Sequence, residues 1–352
     1  MANINTINFK KMKKLNFSLS LLFIFSVNIC FAQSKYQITN KIHIEGEGGW
    51  DYITMDEAAS RLYISHGNSV NVVNVTTNKL IGTIHDTKGV HGIAIATDLN
   101  KGFISNGRDT SVIIFNLKTL NFIDKVKVTG NNPDAILYDS FSHKVFTFNG
   151  GSSNSTVIDA NTNKVVGTII LSGKPEFSAT DENGKIYVNI EDKSTLTVID
   201  TKTLKVEHNW PIAPGLEPTG LAFDVKNHRL FSVCDNKMMV ILNSDNGKVI
   251  STLKIGENVD GVAFDPILKR IYTSNGEGTM TIIQEENENT FKILENFPTQ
   301  KGARTITLDS RTHKIYLPTA EYGETPAPTV KNANPRATIK SNSFTILEIS
   351  VK

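Results

Sequence analysis

Residues 260–297 read DGVAFDPILKRIYTSNGEGTMTIIQEENENTFKILENF, and this stretch decides the fold. It contains four short segments rich in Val, Ile, Thr, Phe and Tyr, each bounded by Gly, Pro, Asn or Asp, as β-strands usually are. The segments predict strand A at Gly261–Asp265, strand B at Arg270–Asn275, strand C at Thr279–Gln284 and strand D at Phe291–Phe297. Because short turns join them, the four strands are expected to form one antiparallel sheet.

The same pattern occurs seven times along the chain. Each copy carries an aspartate at the end of strand A, and successive aspartates are separated by 42, 41, 42, 43, 41 and 44 residues. A period of ~40–45 residues built only from strands is typical of a β-propeller blade. We therefore predict an all-β fold, a seven-bladed β-propeller of four-stranded antiparallel blades. The periodic residues, which we interpret as structural caps of the A–B hairpins, are Asp56, Asp98, Asp139, Asp181, Asp224, Asp265 and Asp309.

The two ends of the repeat region complement each other. The seventh copy ends with strand C in SFTILEISVK, residues 343–352, and no strand D follows it. A single unassigned strand, Tyr36–Ile44, precedes the first copy. Pairing this strand with the last strand C would complete the seventh blade and remove two open sheet edges. We therefore expect the N-terminal strand to be the outermost strand of the last blade.

The repeats resemble the YVTN-type repeats of YncE-like β-propellers. The resemblance rests on units such as GVAFDPILKRIYTSNGEGTMTII (residues 261–283) and STLTVIDTKTLKV (residues 194–206), and it extends over the repeat region. It implies the propeller fold of exported bacterial and archaeal proteins. It implies no single activity, because propellers of one architecture serve many roles.

A separate segment precedes the repeats. Lys10, Lys11, Lys13 and Lys14 are followed by an apolar stretch at residues 15–29 and by the small residues Cys30 and Ala32. This order is typical of a secretory signal peptide. We predict that residues 1–32 are cleaved, that residues 33–352 form the propeller, and that the protein is periplasmic or secreted. Met12 is an alternative start.

The predicted mature chain has nearly balanced charge and one cysteine. Cleavage removes four lysines and leaves 33 basic against 35 acidic residues, without a basic run. This charge makes nucleic acid an unexpected partner. Only Cys234 remains, which excludes an intrachain disulfide, and we interpret it as a buried, unreactive thiol. We expect a monomer with no transmembrane segment in the mature chain.

Propeller topology brings two sets of loops to one face. The D–A and B–C loops open at the same mouth of the central channel, and here they carry polar residues that differ from copy to copy. His66 and His91 are the histidines expected near this mouth, which are too few for a multi-histidine copper site. The residues predicted to bind a ligand there are His91, Arg108, Asp134, Glu176, Asn189, Glu191, Asp260, Arg304 and Glu321.

The seventh copy carries a long B–C loop, residues 320–342, between strands B and C. A loop of this length in a compact domain usually has a function or lacks order. Three prolines stiffen it, and Tyr322 and Arg336 supply groups for contact. We expect the loop to lie over the mouth.

Three functions remain open on the sequence. The favoured one is binding of a small polar molecule, a glycan or an envelope protein at the mouth, with arginines holding anionic groups and carboxylates accepting hydrogen bonds. The alternative is a metal-assisted lactonase or other hydrolase, with His91 or Glu191 as base. Its divalent cation, such as calcium, would bind Asn149, Glu176, Asn189 and Asp260. The resemblance also suggests nucleic-acid binding. The sequence does not decide whether the protein is an enzyme.

Overall fold

The computed structural model describes residue 1, residues 35–329, residue 335 and residues 337–352. Ser34–Lys352 forms one compact unit. Apart from Met1, the predicted signal peptide lies outside the described residues. In the part of the chain that is described, no helix has the length and apolar character needed to cross a membrane.

The fold consists of seven four-stranded antiparallel sheets, one for each predicted copy. In chain order the strands are β1 Tyr36–His43; then blade 1, β2 Ile53–Asp56, β3 Arg61–His66, β4 Ser69–Asn74 and β5 Lys79–Ile84; blade 2, β6 Val90–Ala96, β7 Lys101–Asn106, β8 Ser111–Asn116 and β9 Phe122–Lys127; blade 3, β10 Pro133–Asp139, β11 Lys144–Asn149, β12 Asn154–Asp159 and β13 Lys164–Ile170; and blade 4, β14 Pro175–Thr180, β15 Lys185–Ile190, β16 Thr195–Asp200 and β17 Lys205–Pro211.

The remaining three blades continue the same order. They are blade 5, β18 Pro218–Asp224, β19 Arg229–Cys234, β20 Met238–Asn243 and β21 Val249–Lys254; blade 6, β22 Val259–Asp265, β23 Arg270–Asn275, β24 Thr279–Asn287 and β25 Thr290–Pro298; and blade 7, β26 Thr307–Asp309, β27 Lys314–Thr319 and β28 Thr345–Val351 with β1. Among the described residues the only helical elements are three 3-10 turns, at Thr97–Leu99, Gly107–Asp109 and Glu191–Lys193.

The N-terminal strand closes the seventh blade, as predicted. Strand β1 pairs with β28 in antiparallel register, from Tyr36 opposite Val351 to His43 opposite Thr345. The Tyr36 hydroxyl then accepts a hydrogen bond of 2.7 Å from the Arg270 guanidinium of blade 6. The first strand of the propeller is therefore tied both to the end of the chain and to the preceding blade.

The core lies between the blades. The middle strands are almost wholly buried; β19, for example, has no residue outside the buried class. The outermost strands alternate exposed and half-buried positions, as in β13 and β25. Val, Ile, Leu and Phe side chains of neighbouring sheets pack into seven apolar clusters. Burial of this apolar surface holds the ring together without a disulfide.

The periodic aspartates act mainly as hairpin caps. Six of the seven accept backbone N–H groups of the following A–B turn. Asp265, for example, accepts from the N–H groups of Ile267 and Leu268, both at 2.9 Å. Asp98 differs because it lies in a 3-10 turn and accepts from the Tyr138 hydroxyl at 2.7 Å. These contacts give the repeated residue a structural role.

Candidate functional site

One position near the start of the innermost strand differs between neighbouring blades. It lies five residues before the periodic aspartate in six blades and seven residues before it in blade 2. Side chains from this position converge at the end of the channel where the D–A loops open. We call these residues the mouth ring: Asp51, His91, Asp134, Glu176, Thr219, Asp260 and Arg304.

His91 joins blades 1 and 3 in the mouth ring. Its Nδ1 atom lies 2.7 Å from Asp51 Oδ2 and 3.6 Å from Asp134 Oδ1. Burial lowers the pKa of the imidazole, but the hydrogen bond to Asp51 and the charge of Asp134 outweigh burial, so the pKa lies above its usual value. One ligand atom from each of these three residues lies within 4.8 Å of the others.

Arg304 joins blades 1, 6 and 7. Its guanidinium forms an ion pair with Asp260 and lies 3.5 Å from Asp51 Oδ1. Burial raises the pKa of Asp260 to about 6, although Arg304 opposes the rise. The arginine thus offsets part of the charge that the ring carboxylates place together.

Lys174 is the second cation of the mouth. Its ammonium lies 2.7 Å from Glu176 Oε1 and forms a second ion pair with Glu191. Burial nevertheless raises the pKa of Glu176 to about 8, and the charge of nearby Asp134 adds to the rise. Burial likewise raises the pKa of Asp134 to about 6. Because desolvation disfavours the charged form, these carboxylates are held in a setting that opposes their ionisation.

Two aromatic rings form the floor beneath the mouth ring. Tyr52 of blade 1 and Phe177 of blade 4 pack with ring centroids 4.9 Å apart, although their blades lie on opposite sides of the channel. Burial raises the pKa of the Tyr52 hydroxyl well above its usual value, and Asp134 and Glu176 add to the rise. The phenol therefore stays neutral beneath the carboxylates.

Above this floor lies an acidic cavity of about 470 Å³. Six of its lining residues are carboxylates and two are cations, Lys174 and Arg304. A neighbouring cavity of about 640 Å³ shares Asp51 and Arg304 with it and is also lined by His91 and Arg108. The mouth therefore offers an acidic part and a mixed part, with Arg304 between them.

The structure brings together six of the nine residues that the sequence predicted for ligand binding. His91 contacts Asp51, which lines the acidic cavity. The other five line the cavity themselves: Asp134, Glu176, Glu191, Asp260 and Arg304. Arg108 is exposed and lines only the neighbouring cavity. Glu321 is exposed on the long loop and lies 3.1 Å from Lys340. The ninth residue, Asn189, lies elsewhere.

Asn149 and Asn189 do not reach the mouth as expected. Both are fully buried. Asn149 donates to Asn154 and Thr156 within blade 3, at 2.8 and 3.0 Å. Asn189 donates to the carbonyls of Thr219 and Gly220, both at 3.0 Å, and accepts from Ser232. The four-residue calcium set of the sequence prediction is therefore corrected, because the amides of two members are used within the protein.

His66 and Cys234 also lie in the core. His66 stacks on Phe344 with centroids 4.2 Å apart, and its Nδ1 atom lies 3.1 Å from the Asn71 side-chain oxygen. Cys234 is a buried free thiol whose pKa burial raises to about 12. The thiol therefore stays protonated, in agreement with its interpretation as unreactive.

The sequence prediction missed Lys174, Tyr52 and Thr219 at the mouth, and its nine ligand-binding residues also left out Asp51. Lys174 stands two residues before Glu176, and Tyr52 directly follows Asp51. Thr219 occupies the common register, five residues before Asp224. Counting backward from every periodic aspartate would have found Thr219, whereas the ion pairs of Lys174 depend on side-chain positions that a repeat alone does not give.

The described part of the long loop lies beside the mouth. Tyr322 and Ile339 form an antiparallel bridge, and Tyr322 packs against Trp50 with centroids 6.3 Å apart. Residues 330–334 and Arg336 are outside the described part. A cavity of about 410 Å³ between the loop and Arg304 continues the surface of the mouth.

The fold and the site define a seven-bladed β-propeller with a polar channel mouth. No protein-family model matches the chain. The uncharacterized protein YncE of Salmonella typhi is 25% identical over 150 residues, covering 41% of this chain and 42% of that protein. YncE of Salmonella typhimurium is 24% identical over 150 residues. The chain thus spans about two-fifths of the length of these curated relatives.

Solved propellers show the same architecture. The Kuenenia stuttgartiensis hydrazine synthase structure superposes with a TM-score of 0.69 at 19% identity, covering 88% of this chain and 98% of that chain. The structure of U3-55K superposes with a TM-score of 0.73 at 10% identity, with the same coverage. At these identities the likeness concerns the fold alone. The weak homology to YncE and the seven blades together support a YncE-like propeller family.

Proposed function

We propose that the channel mouth binds a small polar ligand that carries an amine or several hydroxyl groups. The observation that supports this best is the mouth ring, where seven blades supply five different residue types at one shared register. A position that served only the fold would tend to repeat, as the periodic aspartate does. Desolvated carboxylates such as Glu176 would gain most from a ligand that donates hydrogen bonds or brings positive charge.

The charge of the mouth favours some of the ligand classes that the sequence left open over others. Carboxylates outnumber cations around the acidic cavity, which disfavours nucleic acid and other polyanions. Lys174 and Arg304 would bind a carboxylate or phosphate only if the same ligand also engaged the surrounding acids. An amino-bearing glycan fragment or a zwitterion meets this condition, and so does a basic segment of an envelope protein.

A thermal-shift screen tests the proposal, because a ligand that binds only the native state raises its melting temperature. Mature protein, residues 33–352, is screened against amines, amino sugars, neutral sugars, lactones, divalent metals and short oligonucleotides. We expect stabilisation by an amine or amino sugar that is lost in Glu176→Gln and kept in Glu182→Gln, an exposed residue of the opposite face. Equal stabilisation of both variants would contradict binding at the mouth.

A metal-assisted hydrolase is the second candidate, favoured by the close approach of Asp51, His91 and Asp134. Two carboxylates and an imidazole suit zinc or manganese better than calcium, which prefers six or more oxygen ligands. A cation bound there would polarise a substrate carbonyl. Glu176, with its raised pKa, would then be placed to take a proton from water.

Metal analysis separates the two candidates. The hydrolase requires about one equivalent of zinc or manganese per chain, lost in Asp51→Asn, and metal-dependent lactone hydrolysis. Binding without retained metal and without turnover supports the ligand-binding proposal. A result with metal and turnover would replace it.

We also propose that the chain is exported to the periplasm or the medium. This rests on the sequence of residues 1–32. Mass spectrometry of the protein from a bacterial envelope fraction should give an N-terminus at Gln33. An intact N-terminus in the cytosol would contradict export.

A further inference from the structure

A further cavity lies on the opposite face, where the A–B and C–D turns open. It is a groove of about 600 Å³ between blades 4 and 5. We call it the blade 4–5 groove. Its walls come from the A–B turn and the outermost strand β17 of blade 4, and from the two turns of blade 5. It shares no lining residue with the cavities of the mouth.

The lysine that begins strand B of blade 4 does not bridge the groove. At four other blade junctions the first residue of strand B, a lysine or arginine, reaches the neighbouring blade. These contacts are Arg61 to the Leu117 carbonyl, Lys101 to the Ala160 carbonyl, Arg229 to the Glu288 carbonyl and Arg270 to the Tyr36 hydroxyl. Lys185 of blade 4 instead pairs with Glu207 of its own blade and lies 3.6 Å from Asp200.

Aromatic rings form the inner wall of the groove. Tyr187 packs edge-on against Phe223 at 5.2 Å between centroids and lies 6.2 Å from Trp210. The Tyr187 hydroxyl donates to the Ser244 carbonyl at 3.2 Å, so its polar end is satisfied. Trp210 lies against Gly247, where any Cβ atom would approach the indole to 2.2 Å. The absence of a side chain at Gly247 therefore makes room for the indole that lines the groove.

Carboxylates form the rim. Asp181, Glu207 and Asp245 line the groove together with one ammonium, that of Lys185, and with two histidines. Asp181 uses Oδ1 to cap its turn, and Asp245 uses Oδ1 toward His228 at 2.8 Å. Their Oδ2 atoms accept no hydrogen bond from the described residues. The rim therefore presents free acceptor oxygens and an excess of negative charge beside aromatic rings.

We propose that the blade 4–5 groove binds a small organic cation of the guanidinium or alkylammonium class, separately from the mouth. Carboxylates pair with the charge of such a cation, and aromatic rings pack against its apolar parts or its charged head. A neutral polar molecule and an alkane would both lack the ion pair with the carboxylates. A free metabolite and a basic side chain of a partner offer the same chemistry.

The tryptophan content makes the two sites separately observable. The chain has two tryptophans. Trp50 lines the mouth and Trp210 lines the groove. The variant Trp50→Phe therefore reports the groove by fluorescence, and Trp210→Phe reports the mouth. The probe is N-acetylarginine amide, and its control is the neutral isostere N-acetylcitrulline amide at matched ionic strength.

We expect the arginine probe to change the emission of Trp50→Phe in a saturable way and the citrulline probe to leave it unchanged. Adding Glu207→Gln and Asp245→Asn should weaken binding by about fivefold or more, because two charge-assisted contacts are lost. The control Glu286→Gln, an exposed residue on another blade, should leave the affinity unchanged.

Three results obtained with Trp50→Phe would overturn the proposal. They are equal response to both probes, absence of saturation up to about 50 mM, a concentration at which even weak sites fill, and unchanged affinity in the double variant. Circular dichroism establishes that the variants are folded. A signal confined to Trp210→Phe would place cation binding at the mouth alone, which overturns the groove proposal and supports the proposed function.

Discussion

The two ends of the innermost strand differ in how much their residues vary from blade to blade. At one end the periodic aspartate recurs seven times, and six copies accept hydrogen bonds from the turn that follows. At the other end the mouth ring varies among carboxylate, imidazole, hydroxyl and guanidinium. A repeat protein that needs the same local geometry in each blade uses the same residue there. Variation at an equivalent, converging position is what the proposed ligand site would require.

The largest expected effect comes from replacing one of the periodic aspartates. Asp265 is fully buried, caps its turn and accepts from His313 Nδ1 at 2.7 Å. Asp265→Ala leaves these donors without an acceptor and should lower the free energy of unfolding by about 2–4 kcal/mol. Urea unfolding followed by circular dichroism measures the loss, with Glu182→Gln as the control. A loss below about 1 kcal/mol would contradict the capping role.

Substitution of Asn189 tests whether this residue, predicted for the mouth, stabilises the fold instead. Its amide joins blade 4 to the carbonyls of Thr219 and Gly220 in blade 5. Asn189→Ala should lower the free energy of unfolding by about 1–3 kcal/mol. It should leave the thermal shift of any mouth ligand unchanged. Loss of that shift without loss of stability would show that Asn189 belongs to the binding site.

Arg304 tests the electrostatics of the ring. Without its guanidinium, the pKa of Asp260 should rise further above about 6, because Arg304 lowers that pKa in the folded protein. An acid with a raised folded pKa stabilises the fold at low pH and loses this contribution as the pH rises through that pKa. Arg304→Gln should therefore lower the melting temperature by about 2–4 °C at pH 8 and by less at pH 5. An equal decrease at both pH values would contradict this coupling.

The smallest effect is expected on the long loop. Glu321 and Lys340 form an exposed ion pair, with 64% and 56% of their side chains accessible. Exposed pairs contribute little to stability because water screens them. Glu321→Gln should shift the melting temperature by less than about 1 °C. A larger shift in differential scanning fluorimetry would show that the loop is tied more firmly to the mouth than this pair indicates.

The sequence predicted the fold far better than the candidate site. Strand B of blade 6 was predicted at Arg270–Asn275 and is found there, because alternating apolar residues and turn residues determine it locally. The closing role of the N-terminal strand was also confirmed, since an unpaired strand at each end has one solution in a ring.

The site residues were predicted less well because the sequence alone does not give the direction of a side chain. Asn189 and Glu191 are two residues apart at the end of one strand, yet Asn189 is fully buried whereas Glu191 lines the acidic cavity. Sequence spacing placed both near the mouth. Only the packing of blade 4 against blade 5 shows that the Asn189 amide is used between blades, and only the ion pairs show that Lys174 belongs to the site.

We propose that the mouth ring serves binding and not folding. The double variant Asp134→Asn/Glu176→Gln tests this directly, because it replaces carboxylates whose pKa burial raises to about 6 and about 8 with neutral groups of similar shape. Melting temperatures of the variant and the wild type are compared at pH 5 and pH 8. We predict similar values at pH 5 and a variant more stable by about 2–5 °C at pH 8, where the wild-type carboxylates ionise. A variant less stable than the wild type at both pH values would contradict the claim.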